Sequence, residues 1–170
     1  MPFDLQPTLR SEILELRPLG ADDFERLYAV ASDPLIWEQH PNFDRWQPDV
    51  FRKFFDDAIE SGGALIAIDR ELERVIGSSR YHCYDLERSE IEIGWTFLAR
   101  SHWGGVYNGE MKRLMLSHAF QFVDNVIFMV GSTNLRSQRA VEKIGGVRVG
   151  IKTDPGGCES FIYRLTSPRR

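Results

Sequence analysis

No stretch of this chain runs apolar for the ~20 residues that a membrane-spanning helix needs. The N-terminus also lacks the cationic region and following apolar run of a secretory leader, so neither a membrane partner nor export is expected. Cysteine is scarce. Two residues, Cys83 and Cys158, make no disulfide framework, which reads as a reducing, cytoplasmic compartment. There is no basic block: 21 Lys and Arg face 25 Asp and Glu, for a net charge of −4. That balance disfavours nucleic acid as a partner. His82-Cys83 has no second pair at ligand spacing, so no metal is expected. With no repeat, linker or low-complexity tract, residues 1–170 read as a single domain, long enough for a full core.

What is present centres on residues 90–146. Residues 90–98 alternate, with Ile91, Ile93, Trp95 and Phe97 on one face and Glu92, Gly94 and Thr96 on the other, as in a half-buried strand. A turn containing Trp103, Gly104, Gly105, Val106 and Tyr107 follows. Asn108 then reads as the cap of a helix whose apolar positions are Met111, Leu114, Met115, Ala119 and Phe122. Backbone N–H groups at such a helix start have no intrahelical partner and sit at the positive end of its dipole. Together they can hold a phosphate or pyrophosphate, although a glycine turn before a helix is often only a turn. Residues 126–130 form a continuous apolar run, the mark of a strand covered on both faces, and complete a βαβ crossover. In the next helix Ser137, Ala140, Val141 and Ile144 share one face, before Gly145 and Gly146 stop it.

The flanks read as packing for that unit. Residues 13–17 are a strand, 21–31 a helix with Phe24, Leu27, Tyr28 and Ala31 inward, and 35–47 an aromatic loop. A second helix starts at Pro48, with Phe51, Phe54, Phe55 and Ala58 inward. Strands at 65–68 and 75–84 form an antiparallel meander with residues 90–98, and 161–165 end the sheet. The fold class is therefore α/β, with a mixed sheet that is antiparallel at first and parallel around the central crossover. Unpaired edge strands make a homodimer a possible assembly without fixing the oligomer.

Trp103-Gly104-Gly105 with Asn108, Glu110 and Lys112, then Asn134 to Ala140 and Glu142 to Gly145, resembles the acyl-CoA-binding core of the GCN5-related N-acetyltransferases (GNAT). The branch it most resembles acetylates ribosomal-protein N-termini. The resemblance implies acetyl-CoA as donor and a primary amine as acceptor, on a protein N-terminus or a small molecule. It implies splayed strands gripping pantetheine, and a glycine turn on the pyrophosphate. Trp95, Phe97, Leu98, Ala99, Trp103, Gly104, Gly105, Val106, Tyr107, Asn108, Asn134 and Arg139 are then the donor-binding residues. A backbone N–H of Trp95 or Phe97 would meet the thioester oxygen.

Two places depart from the family pattern. Ser101 and Val106 stand where the turn usually carries an Arg or Gln and a small residue, with Arg100 one place early. Val141 replaces the tyrosine that many members use as an acid. Direct transfer needs a base for the ammonium and a donor for the departing thiolate. Glu92 is the candidate base, against a solvated or salt-bridged strand residue. Ser137 is the candidate donor, against a hydroxyl bonded to its own helix. Asn134 reads either as a pantetheine ligand or as a helix cap, and Arg136 and Arg139 as phosphate ligands or a solvated face. A non-catalytic acyl-CoA-binding module is the rival reading. A nucleotide binder unrelated to CoA would need a lysine that residues 99–107 lack.

Overall fold

The apolar periodicities resolve into an eight-stranded mixed sheet in a computed structural model that describes residues 1–168. β1 (Leu9–Arg10), β2 (Leu14–Pro18), β3 (Ala64–Asp69), β4 (Arg74–Asp85) and β5 (Glu90–Leu98) pair antiparallel in chain order. β5 pairs in parallel with β6 (Asn125–Gly131). β7 (Val147–Thr153) forms the far edge, and β8 (Glu159–Thr166) inserts between β6 and β7. The last strand of the chain thus does not end the sheet as expected. It pairs along the whole of β6, residues 125–131, and leaves β7 outside.

Each face of the sheet has its own core. α3 (Tyr107–Ala119) and α4 (Leu135–Lys143) cover one face, where Met111, Met115 and Val141 meet Ile91, Ile93, Val126 and Phe128. α1 (Phe24–Ala31) and α2 (Pro48–Ser61) cover the other, where Leu27, Phe51, Phe54 and Phe55 meet Ile66 and Phe97. Burying each such side chain contributes ~1.5–3 kcal/mol. α2 forms where the sequence places it. Pro48 fixes its first turn, its phenylalanines share a stripe, and Gly62 ends it at φ 67°, a left-handed conformation that a side chain would strain.

Three local readings are corrected. Residues 21–23 form a 3₁₀ turn rather than the start of α1. The Asp23 carboxylate accepts from Gly20 N–H at 2.8 Å and from Arg17 at 2.8 and 2.9 Å, which holds the tighter turn closed. α3 starts at Tyr107, with Val106 at the cap position and no side-chain cap, so Asn108 lies inside the helix. Finally, the alternation of β5 breaks at Trp95, whose φ is +53°. Two residues, Trp95 and Thr96, there face Ser79 alone, between the pairs Arg80 with Gly94 and Ser78 with Phe97. This β-bulge inverts the pleat, so Phe97 packs on the α1–α2 face and not beside Ile93.

Candidate active site

Pairing between β5 and β6 stops early. The registered pairs are Glu90 with Asn125, Ile91 with Val126 and Glu92 with Ile127, although β5 runs on to Leu98 and β6 to Gly131. Beyond Glu92 the strands therefore diverge, with the strained Trp95 bulge at the mouth of the gap. A cavity of about 650 Å³ passes through this wedge from the glycine turn to the loop after α1. A more open depression of about 770 Å³ lies outside it, between α1 and the residues 99–102.

At the turn end, the first bond of α3 runs from Glu110 N–H to Val106 O at 2.9 Å. The N–H groups of Tyr107, Asn108 and Gly109 therefore have no partner within the helix. Space is open above the turn: a Cβ at Gly104, Gly105 or Gly109 would meet nothing within 4 Å. Gly104 has φ +69°, which favours glycine. Lys112 and Lys143 line the same cavity. Open space, orphan donors and cations suit the diphosphate of CoA. Arg100 is turned away from the turn into an ion pair with Asp33.

Both flanks of the turn are tied to one carboxylate. Asp69 Oδ2 accepts from Tyr107 Oη at 2.9 Å and lies 2.8 Å from His102 Nε2, while its Oδ1 accepts from Glu71 and Leu72 N–H. His102 is thus tied to the end of β3. The Trp103 indole donates to Leu98 O at 2.9 Å, and the Arg136 guanidinium lies 3.8 Å from the Trp103 ring centroid. Arg136 also donates to Ile36 O at 3.1 Å, joining α4 to the loop after α1.

In the wedge, Asn134 caps α4, its Oδ1 accepting from Ser137 N–H at 3.3 Å, which leaves its amide N–H₂ toward the cavity it lines. Ser137 lines the cavity too, and its hydroxyl makes no hydrogen bond within the described residues. Glu92 lies on the α1–α2 face and is 9% exposed, with no ion pair among the described residues. Its Oε1 sits 3.5 Å from where a Cβ on the cavity residue Gly94 would be. Burial raises its pKa, against the opposing charges of Lys152 and Arg80.

Nine of the twelve expected donor-binding residues line this cavity: Trp95, Phe97, Leu98, Trp103, Gly104, Gly105, Val106, Asn108 and Asn134. Ala99 and Tyr107 stand behind the turn, and Arg139 is exposed on the outer side of α4, whereas Arg136 lines the cavity. Sequence reasoning missed Asp69, Lys112 as a buried cation, and the arginines Arg45 and Arg80. Lys112 is 6% exposed, and burial alone pushes its pKa down to about 8. Its signal was a lysine next to Met111 and three before Met115, on the buried stripe of α3.

Residues 14–147 match the family model described as "Acetyltransferase (GNAT) domain". The chain belongs to that acetyltransferase family. Its fold is similar to an acetyltransferase (GNAT family) from Bacillus anthracis, with TM-score 0.78, 21% identity, and coverage of 94% of this chain and 98% of the other. A GCN5-related N-acetyltransferase from Brucella melitensis gives TM-score 0.82 at 19% identity, covering 97% and 80%. Mycobacterium smegmatis RimJ in complex with CoA-disulfide gives 0.72 at 14%, covering 95% and 86%. Among curated proteins no sequence match is found.

Proposed function

We propose that this chain moves an acetyl group from acetyl-CoA to a primary amine by direct transfer in a ternary complex. The observation that carries the reading is the continuity of one cavity, from orphan N–H groups at the start of α3, through the β5–β6 gap, to the face where Glu92 lies. The α3 start and the open glycine turn would hold the diphosphate of acetyl-CoA. The β5 edge and the Asn134 amide would hold its pantetheine arm, with Arg139 at the rim. Acetyl-CoA supplies the activated acyl group. Glu92, desolvated and unpaired, takes the proton from the ammonium directly or through water, so that the neutral amine attacks. A backbone N–H at Trp95 or Phe97 polarises the thioester carbonyl, and the free Ser137 hydroxyl donates to the departing thiolate.

No tyrosine acid stands at Val141, which is 2% exposed in the core. The acceptor is a protein N-terminus or a small amine, in the cytoplasm, and a homodimer is the assembly we expect from the open β7 edge. No metal enters this chemistry. Calorimetric titration with acetyl-CoA, desulfo-CoA and ATP, followed by an amine screen, tests the proposal. Micromolar binding of both CoA species but not ATP, together with transfer to an amine, is the expected result. Binding without transfer to any amine would favour a sensing module instead, and no CoA binding would overturn both.

A further inference from the structure

Behind the aromatic wall at the far end of the cavity lie two arginines, Arg80 and Arg45, that no carboxylate pairs among the described residues. Arg80 stands on β4 opposite Gly94 and is 5% exposed. Its Nε is the one buried side-chain nitrogen or oxygen without a hydrogen-bond partner among the described residues. The guanidinium lies 4.5 Å from the centroid of the Trp95 ring and 5.6 Å from that of Phe54. Arg45 packs against the same Phe54 ring at 4.6 Å and lies 5.6 Å from the Trp37 ring. Neither arginine has a carboxylate within ion-pair distance among the described residues; Asp44 and Asp57 act only from further away, and Glu92 is the base.

The polar neighbour of Arg45 sharpens the point. Its Nη1 lies 3.5 Å from His40 Nε2. His40 Nδ1 accepts from Asn42 N–H at 3.0 Å, and burial together with Arg45 and Arg136 holds this histidine's pKa down to about 3. The neutral ring therefore carries its single proton on Nε2, which cannot accept from Arg45. Two N–H donors face each other, as they do around an absent acceptor. Burial lowers both arginines to about 10, with repulsion from Arg80 adding to the effect at Arg45, so both stay charged at neutral pH.

Elsewhere the fold pairs its buried carboxylates: Asp23 with Arg17 and Arg26, and Asp69 with His102 and Tyr107. Leaving the buried Arg80 and the half-buried Arg45 unpaired costs stability unless a ligand completes them. Trp37, His40 and Trp95, which these arginines touch, line the cavity.

We propose that the acceptor carries a carboxylate close to its amine, held between Arg80, Arg45 and the His40 Nε2–H while Glu92 receives the amine. A guanidinium offers a carboxylate two parallel hydrogen bonds, and the aromatic rings keep both forks in place. The inference rests on the acetyl-transfer reading above. The carboxylate comes either from the α-carboxyl of a free amino acid or from an acidic side chain near a peptide N-terminus.

The test is acetyl transfer to amino acids against the matching amino-acid amides, and to C-terminally amidated peptides beginning Ala-Glu or Ala-Asp against Ala-Gln or Ala-Asn. Acetyl-CoA binding is measured in parallel by calorimetry. The expected result is a preference for the acid of about tenfold or more in kcat/KM, carried mainly by KM. Arg45→Gln brings that ratio toward one, and so does Arg80→Gln; either variant suffices if the other fails to fold. Preference among free amino acids alone assigns the α-carboxyl, and preference among the peptides assigns the side chain. Acetyl-CoA binding with equal use of acids and amides, with a ratio unmoved in the variants, or with no acceptor of the panel acetylated, overturns the carboxylate site. No binding of acetyl-CoA overturns the parent reading and this one with it.

Discussion

The two ends of the cavity use opposite means. At the donor end, the candidate contacts are backbone groups: orphan N–H donors, glycines with open space above them, and a strand edge left bare by the splay. At the proposed acceptor end they are side chains, with His40 lining the cavity and Glu92, Arg80 and Arg45 behind it, drawn from two strands and one loop. Backbone recognition tolerates side-chain change, and Val106 leaves the N–H groups of Tyr107, Asn108 and Gly109 without helix partners. Side-chain recognition does not, so the acceptor end carries whatever is particular to this enzyme.

Removing the proposed base should produce the largest break in that contrast. Glu92→Gln is expected to lower kcat by roughly 10²–10⁴-fold while acetyl-CoA affinity, read by calorimetry, stays put. The same group sets a pH dependence. Its raised pKa means that the acidic limb of kcat/KM falls off above the ordinary glutamate range. The folded chain also keeps this proton to higher pH than the unfolded chain, so ionised Glu92 costs stability once pH rises through the raised pKa. Glu92→Gln should therefore melt no lower, and at neutral pH higher, than the parent.

Lys112 offers a break at the donor end. A lysine with its pKa held at about 8 instead of 10.5 costs roughly 3 kcal/mol while both states are protonated, and that cost fades as pH climbs from 8 toward 10.5. Lys112→Met is expected to raise Tm at pH 7, with the gain shrinking by pH 10 in melts across that range. A gain that does not change with pH would show that the charge of Lys112 is not the source.

Asp69→Asn tests whether the backbone cradle needs its side-chain tether. Losing the acceptor shared by His102 and Tyr107 should weaken acetyl-CoA binding about tenfold, with kcat at saturating donor little changed. Ser137→Ala should have the smallest effect, about tenfold or less in kcat with donor affinity kept, because it removes one neutral donor to the thiolate. If this variant lost acetyl-CoA binding instead, Ser137 would belong to the cradle and not to the chemistry.

The elements around the turn were legible because local rules make them. The strand 90–98 ran between the residues its pattern gave, Asn134 and the glycines 145–146 bounded α4, and the turn before α3 carried the motif. Local rules failed where pairing decided. Nothing local distinguishes Trp95 as a bulge, since the inversion of β5 there follows from two residues sharing Ser79 across the ladder. Val147 to Thr153 was not read as a strand although Val147, Val149 and Ile151 alternate there; all three are exposed, so β7 is held by its ladder to β8 and not by burying that face.

By itself, then, the sequence determined the crossover unit, the turn and the residues that flank it, since hydrophobic period, capping and glycine act within a few positions along the chain. Only the tertiary structure decided the rest. It set how far β5 and β6 pair before they part, and which face Phe97 takes. It also brought Arg45 and Arg80, 35 positions apart in the numbering, to one Phe54 ring. Such meetings depend on sheet register and helix packing, which distant residues fix together.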